Sequence, residues 1–217
     1  MSSNVGKLLE RIINNRAIKE VSISDAQAGG RKKRATTDHL LILKDIIRQQ
    51  KRKRKPLYIT FLDVTKAYDK AWLDGLLYNM YNRGVQGATW NMIRKLNQNL
   101  KAEVKTKHGN TRPIIIKDSI RQGGVLSVMM YSAMMDEIAK KVTDMGKGIK
   151  IGNQENRVGC LLWMDDVALI SDTREEAQEL LDMTNDIANT YHLEFGAEKS
   201  KVMSFNTKDQ GNLKLGT

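Results

Sequence analysis

The chain has 217 residues, 36 Lys+Arg against 25 Asp+Glu, and one cysteine, for a formal net charge of +11. That length gives one large domain or one and a half small ones. A lone Cys160 excludes a disulfide framework and a cysteine-based metal site, and reads as a packed thiol in a reducing, intracellular compartment. No stretch approaches the roughly 18 apolar residues of a membrane span, and the N-terminus lacks a signal-peptide run, so no membrane partner is expected. The charge is unevenly placed. Residues 1–60 hold 15 Lys+Arg and 5 Asp+Glu, a net of +10; residues 61–217 hold 21 and 20, a net of +1.

In chain order, residues 1–24 read as a helix and then an extended stretch, with Leu8, Leu9, Ile12 and Ile13 as an apolar stripe. Thr36 or Thr37 can cap a helix to about Gln50, with Leu40, Leu41, Leu43, Ile46 and Ile47 as its buried face. Basic runs stand on either side of it, Arg31-Lys32-Lys33-Arg34 and Lys51-Arg52-Lys53-Arg54-Lys55. A solvated loop is the default reading of such a run. Leu57 to Phe61, rich in β-branched and aromatic residues, predicts a buried strand that ends near Asp63. Helices follow at about 71–83 and 88–100, then a hairpin over 101–117 turning at His108-Gly109-Asn110. A helix from about Gly124 to Val142 carries Met129, Met130, Met134 and Met135 as adaptable core fillers. A hairpin over 158–171, a helix over 173–191 and a strand over 201–206 complete the chain. These alternating elements imply an α+β fold, an antiparallel sheet with helices on one face. His39, His108 and His192 are scattered and suggest no zinc site.

The most informative residues are Asp165 and Asp166, which sit between two apolar runs at the expected tip of the 158–171 hairpin. Adjacent carboxylates repel each other and are costly to desolvate, so a packed core gains nothing from them. A divalent cation removes that cost, and magnesium needs only one or two protein carboxylates. A polar surface turn is the other reading, and the apolar flanks weigh against it. If the strand ending at Asp63 pairs beside this hairpin, three carboxylates converge on one edge of a sheet. That ligand set holds two metal ions for in-line phosphoryl transfer in polymerases and nucleases.

Four ordered segments carry a resemblance. Phe61-Leu62-Asp63-Val64-Thr65-Lys66-Ala67-Tyr68-Asp69 resembles the first catalytic motif of reverse transcriptases, and Arg121-Gln122-Gly123-Gly124-Val125-Leu126-Ser127 their Arg-Gln-Gly-x-x-Leu-Ser segment. Trp163-Met164-Asp165-Asp166 resembles their aromatic-x-Asp-Asp box, and Glu198-Lys199-Ser200 their later Lys-Thr motif. Upstream, Gln27-Ala28-Gly29-Gly30 and Thr36-Thr37-Asp38 resemble the Gln-x-Gly-Phe…Thr-x-Asp segment of non-LTR (LINE-type) retrotransposon enzymes. The chain departs from these patterns at Gly30 (usually Phe), Lys33 (usually Gly), Val128 (usually Pro) and Trp163 (usually Tyr).

The resemblance implies a right-hand polymerase palm over residues 57–217, preceded by a basic part of the fingers over 1–56, with the primer grip and thumb absent. It implies an RNA-directed DNA polymerase acting on an RNA template, a DNA primer and deoxynucleotides. Missing parts would come from the rest of a longer polyprotein. Two Mg²⁺ ions, with Mn²⁺ as substitute, would be held by the set Asp63, Val64, Asp165 and Asp166. Tyr68 would pack under the sugar and exclude a 2′-hydroxyl, while Arg121, Gln122 and Gly123 would touch nucleotide or template. Lys199 would act as general acid for departing pyrophosphate, and Asp69 would fix local structure. Beside such a core both basic runs become a footprint for a phosphate backbone, and the second also matches a nuclear-import pattern. A group II intron or retron-type polymerase is one alternative, against which the Thr36-Thr37-Asp38 segment weighs. The other is a palm that binds nucleic acid without catalysis.

Overall fold

The computed structural model describes residues 4–98, 100–116, 119–121, 123–152, 157–208 and 213–215. Its elements are α1 (Asn4–Ala17), α2 (Thr36–Lys53), β1 (Leu57–Leu62), α3 (Leu73–Asn82), α4 (Gly87–Asn97), β2 (Lys101–Ala102), β3 (Lys105–Thr106), β4 (Gly109–Asn110) and β5 (Ile114–Ile115). They continue with α5 (Val125–Asp144), β6 (Ile149–Lys150), β7 (Arg157–Val158), β8 (Cys160–Trp163), β9 (Asp166–Ser171), α6 (Arg174–Thr190) and β10 (Lys201–Phe205). The chain packs as two interleaved compact units, one of residues 1–22 and 66–130, the other of 23–65 and 131–217.

The second unit is built on a four-stranded antiparallel sheet in the order β10-β1-β9-β8. Its central strands are largely apolar because both faces are covered. Side chains alternate between faces along a strand. Leu57 and Ile59 of β1, Leu161 of β8, and Ala168 and Ile170 of β9 form one cluster with Ile46 of α2; Ile42, Leu43 and Ile47 pack against it. Tyr58, Thr60, Leu62, Leu162, Val167 and Leu169 are buried on the other face. The buried residues of α6, which lies against β9 and β1, stand outside the α2 cluster and so cover that other face. The α+β palm therefore stands, and α2 adds a cover on the face that sequence left open.

In the first unit, α1 and α3 pack on α4, and β2–β5 and β3–β4 form a narrow exposed ribbon. The ribbon turns at Lys107-His108, one residue earlier than expected. Two apolar stripes also need correction. On α1 only Ile13 of the expected four is buried, with Glu10 and Ala17, while Leu8, Leu9 and Ile12 are exposed. On α2, Leu40 and Leu41 are exposed. The sheet engages the face made by residues 42, 43, 46 and 47, and Leu41 falls opposite it at helical spacing. Thr36 is the first helical residue, not the cap: Ala35 holds that place, and the Asp38 carboxylate accepts its N–H at 2.9 Å. α6 begins about where expected, and Thr173 caps that start, its Oγ1 accepting from Glu176 N at 3.1 Å. No helix among the described residues is long and apolar enough to cross a membrane.

Candidate active site

β8 and β9 are joined by the shortest of hairpin loops. Trp163 pairs with Asp166, leaving Met164 and Asp165 as the turn. Met164 carries φ 58, a left-handed conformation that costs a non-glycine residue on the order of 1 kcal/mol. Such turns match the twist of the flanking strands, which fixes both carboxylates at the sheet's end.

β1 delivers Asp63 to the same end. Its last pair with β9 is Leu62 with Val167, so Asp63 follows one step beyond, alongside Asp166. The Asp63 backbone is held independently: its carbonyl accepts from Gly196 N at 2.9 Å, and Val64 bridges to Phe195. Three aspartates therefore meet at one edge, as their spacing in the sequence implied. Burial, then the charges of Asp165 and Asp63, raise the pKa of Asp166 above the ordinary carboxylate range. Among the described residues neither Asp165 nor Asp166 has a side-chain hydrogen bond or ion pair.

Lys199 reaches the cluster too, its Nζ 3.3 Å from Asp63 Oδ2. The lysine side chain is 74% exposed and the aspartate 38%, so the pair is a screened surface contact. Asp63 and Asp166 border an open cleft lined by Phe61, Leu161, Trp163 and Ala168 on the sheet and by Thr36, His39, Leu40 and Leu43 on α2. His39 packs edge-on to Trp163 with ring centroids 6.2 Å apart, and burial is the main cause that lowers its pKa. Among the described residues no group of three His, Cys, Asp or Glu side chains is placed to hold a metal ion by itself. An open pair of mutually repelling carboxylates suits magnesium, which takes its other ligands from water and phosphate. Val64 has only a backbone oxygen to add, and its side chain is buried.

The family described as "Reverse transcriptase (RNA-dependent DNA polymerase)" matches residues 1–214. The chain belongs to the reverse transcriptase family. Curated relatives are polymerases of mobile elements of the non-LTR class. A Pol polyprotein of the type-1 retrotransposable element R2 from Popillia japonica is 28% identical over 174 residues, which cover 79% of this chain and 24% of the relative. The RNA-directed DNA polymerase of mobile element jockey from Drosophila funebris is 23% identical over 212 residues, 93% of this chain and 22% of the relative. The chain thus spans about a quarter of the length of these two relatives. Among solved structures, apo telomerase from Candida tropicalis matches 91% of this chain and 36% of its own at TM-score 0.64 and 12% identity, a likeness of fold.

Tyr68, Arg121 and Gly123 of the expected site belong to the first unit. Tyr68 is half-buried in the first unit, where its carbonyl accepts from Ile120 N at 3.0 Å. Arg121 is ion-paired with buried Glu10 at 3.0 Å, and Glu10 also accepts from Val125 N at 3.2 Å at the start of α5. Gly123 is exposed with φ 79, a conformation that favours glycine. Gln122 lies outside the described residues.

The two basic runs differ. Arg31 donates to the carbonyls of Ser24 at 2.7 Å and Gln27 at 3.2 Å and pairs with Asp25, which Arg34 also grips. Lys32 and Lys33 are exposed, and Lys33 has φ 61, which explains why glycine is usual there. Lys51 to Lys55 are all exposed at the end of α2, where cations also complement the helix dipole; Lys51 lies 5.8 Å from the Phe205 ring. Sequence reasoning assigned nothing to Glu10 and quoted Gln27 only within a motif, without a role; the partners of both buried polar residues lie more than a hundred positions away.

Proposed function

We propose that this chain is the catalytic core of an RNA-directed DNA polymerase that adds deoxynucleotides to a primer 3′-hydroxyl. One observation carries the reading: Asp63, Asp165 and Asp166 meet at one sheet edge with repelling charges, and Asp165 and Asp166 have no partner among the described residues. A pair of Mg²⁺ ions bound there would activate the attacking hydroxyl and stabilise the departing pyrophosphate. In the transfer, the primer oxygen bonds to the α-phosphorus as the bond to pyrophosphate breaks, and the hydroxyl proton passes to solvent water. Asp63 and Asp165 would hold the ions, with Asp166 in support. Lys199, released from Asp63, is the proton donor to pyrophosphate. Tyr68 closes the space beneath the sugar against a 2′-hydroxyl. The exposed lysines and arginines of the α2 terminus follow the nucleic-acid backbone, which they hold without reading sequence.

The test is primer extension on an RNA template with Mg²⁺, by this chain and by one extended at its C-terminus. Magnesium-dependent incorporation should fall about a thousandfold or more in Asp165→Asn, the loss of several kcal/mol of transition-state stabilisation. Incorporation that survives Asp165→Asn and Asp63→Asn would refute the assignment. Template binding without incorporation by either chain would favour the non-catalytic palm. In an active chain Tyr68→Val should relax discrimination against ribonucleotides, and unchanged discrimination would remove the gate.

A further inference from the structure

Gln27 is completely buried, yet it belongs to no regular element and makes no contact with solvent. Its Oε1 accepts from Met164 N at 3.0 Å and from Gly29 N at 2.9 Å, and its Nε2 donates to Met164 O at 3.3 Å. One amide side chain thus engages both backbone groups of the residue before Asp165. The same loop is laced to β8, with Leu162 N donating to Ala26 O at 2.8 Å and Ala28 N to Leu162 O at 3.0 Å. A Cβ on Gly29 would lie 2.3 Å from Met164 N, so only glycine allows this approach. From behind, Ser132 Oγ on α5 donates to Gly29 O at 3.2 Å and fixes the loop's distance.

We infer that Gln27 is a positioning residue that clamps the strained Met164 backbone and thereby sets the angle of the Asp165-Asp166 pair. Met164 alone would favour relaxation out of φ 58. Two hydrogen bonds from the fully buried Gln27 amide oppose that, because breaking them leaves its polar atoms unpaired. The Gln-x-Gly spacing is explained as one device: the glutamine grips the turn, and the glycine two residues on lets it come near. The consequence for cation affinity rests on the proposed metal role of the aspartates, while the clamp itself does not. Groups that orient metal ligands from behind typically change affinity 10–100-fold when removed.

Amide hydrogen exchange of the wild-type chain decides the clamp: Met164 N–H should exchange as slowly as the N–H groups paired between β1 and β9. Gln27→Met keeps the volume and loses every bond, so Met164 exchange should speed up at least tenfold while the sheet stays protected. Gln27→Glu keeps an accepting oxygen and should retain slow exchange. In a Mn²⁺ titration Gln27→Met should bind about 10–100-fold more weakly than wild type. A Met164 amide that exchanges like an open turn in wild type would overturn the inference, even should Gln27→Met fail to fold. A folded Gln27→Met with wild-type Mn²⁺ affinity would overturn it as well. Wild type that binds no Mn²⁺ but shows the predicted exchange pattern would leave the clamp standing and refute the metal reading instead.

Discussion

Glu10 and Asp136 are carboxylates whose charge is used up inside the fold, whereas Asp165 and Asp166 are carboxylates whose charge is left available. Asp136 is fully buried on α5 and accepts from Ser24 N at 3.0 Å and from the Ser24 hydroxyl; Glu10 is 7% exposed and holds Arg121 and Val125 N. At the hairpin tip the position is reversed. Burial and two neighbouring negative charges act on Asp166 together, and no donor among the described residues answers them. A protein selected only for stability gains from the first arrangement and loses from the second. The difference separates carboxylates that build the site from carboxylates that would work in it.

The largest stability effect should therefore fall on the structural set. Asp136→Ala leaves Ser24 N–H unpaired in the interior and should cost about 1–3 kcal/mol, read from chemical denaturation. An equal loss from Asp166→Ala would erase the distinction. Asp166→Asn should instead raise the melting temperature at neutral pH without divalent ions, by about a degree or two. The sign follows from linkage: a raised pKa means the native state holds this proton more tightly than the unfolded state. The destabilisation then sets in as pH rises through the ordinary carboxylate range and is complete above the raised value. The advantage of Asp166→Asn should shrink as pH is lowered through that window, and a gain independent of pH would contradict the charge argument.

Cations sharpen the same contrast. Arg31 is built into the loop that carries Gln27, whereas Lys51, Arg52 and Lys53 end α2 in solvent. Arg31→Gln should lower stability, while replacing Lys51, Arg52 and Lys53 together should weaken nucleic-acid binding and flatten its salt dependence with little change in melting. An unchanged salt slope would make the α2 terminus a plain solvated end. The smallest effect belongs to Lys199→Ala, where loss of an exposed ion pair should shift stability by less than about 1 kcal/mol. Turnover of an active chain would then report its proton-donor role separately.

Much of this was legible in the residues because it is local. Alternating and continuous apolar runs located β1, β8 and β9, and the residues that end them delivered the aspartates to one edge. Helix limits were read to within a few residues for the same reason. Long-range polar contacts were not legible. Gln27 meets Met164 and Glu10 meets Arg121 across more than a hundred positions, and no periodicity encodes such a pairing. The Gln-x-Gly pattern was visible as a motif, but its purpose appears only when Gly29 is seen against Met164. The α2 face was misjudged because apolar residues surround much of that helix and only packing selects among them. Nor does sequence tell that Arg31 turns inward while Lys32 does not; the Ser24–Gln27 carbonyls decide it.

The central claim, that the tip aspartates are kept unsatisfied in order to hold divalent cations, is tested most directly by titrating the purified chain with Mn²⁺ and following free and bound ion by electron paramagnetic resonance. Wild type should show saturable binding that Mg²⁺ displaces, Asp63→Asn and Asp165→Asn should each lose most of it, and Asp136→Asn, if folded, should keep it. Binding unaffected by Asp63→Asn and Asp165→Asn, or no saturable binding by a folded wild-type chain, would contradict the account.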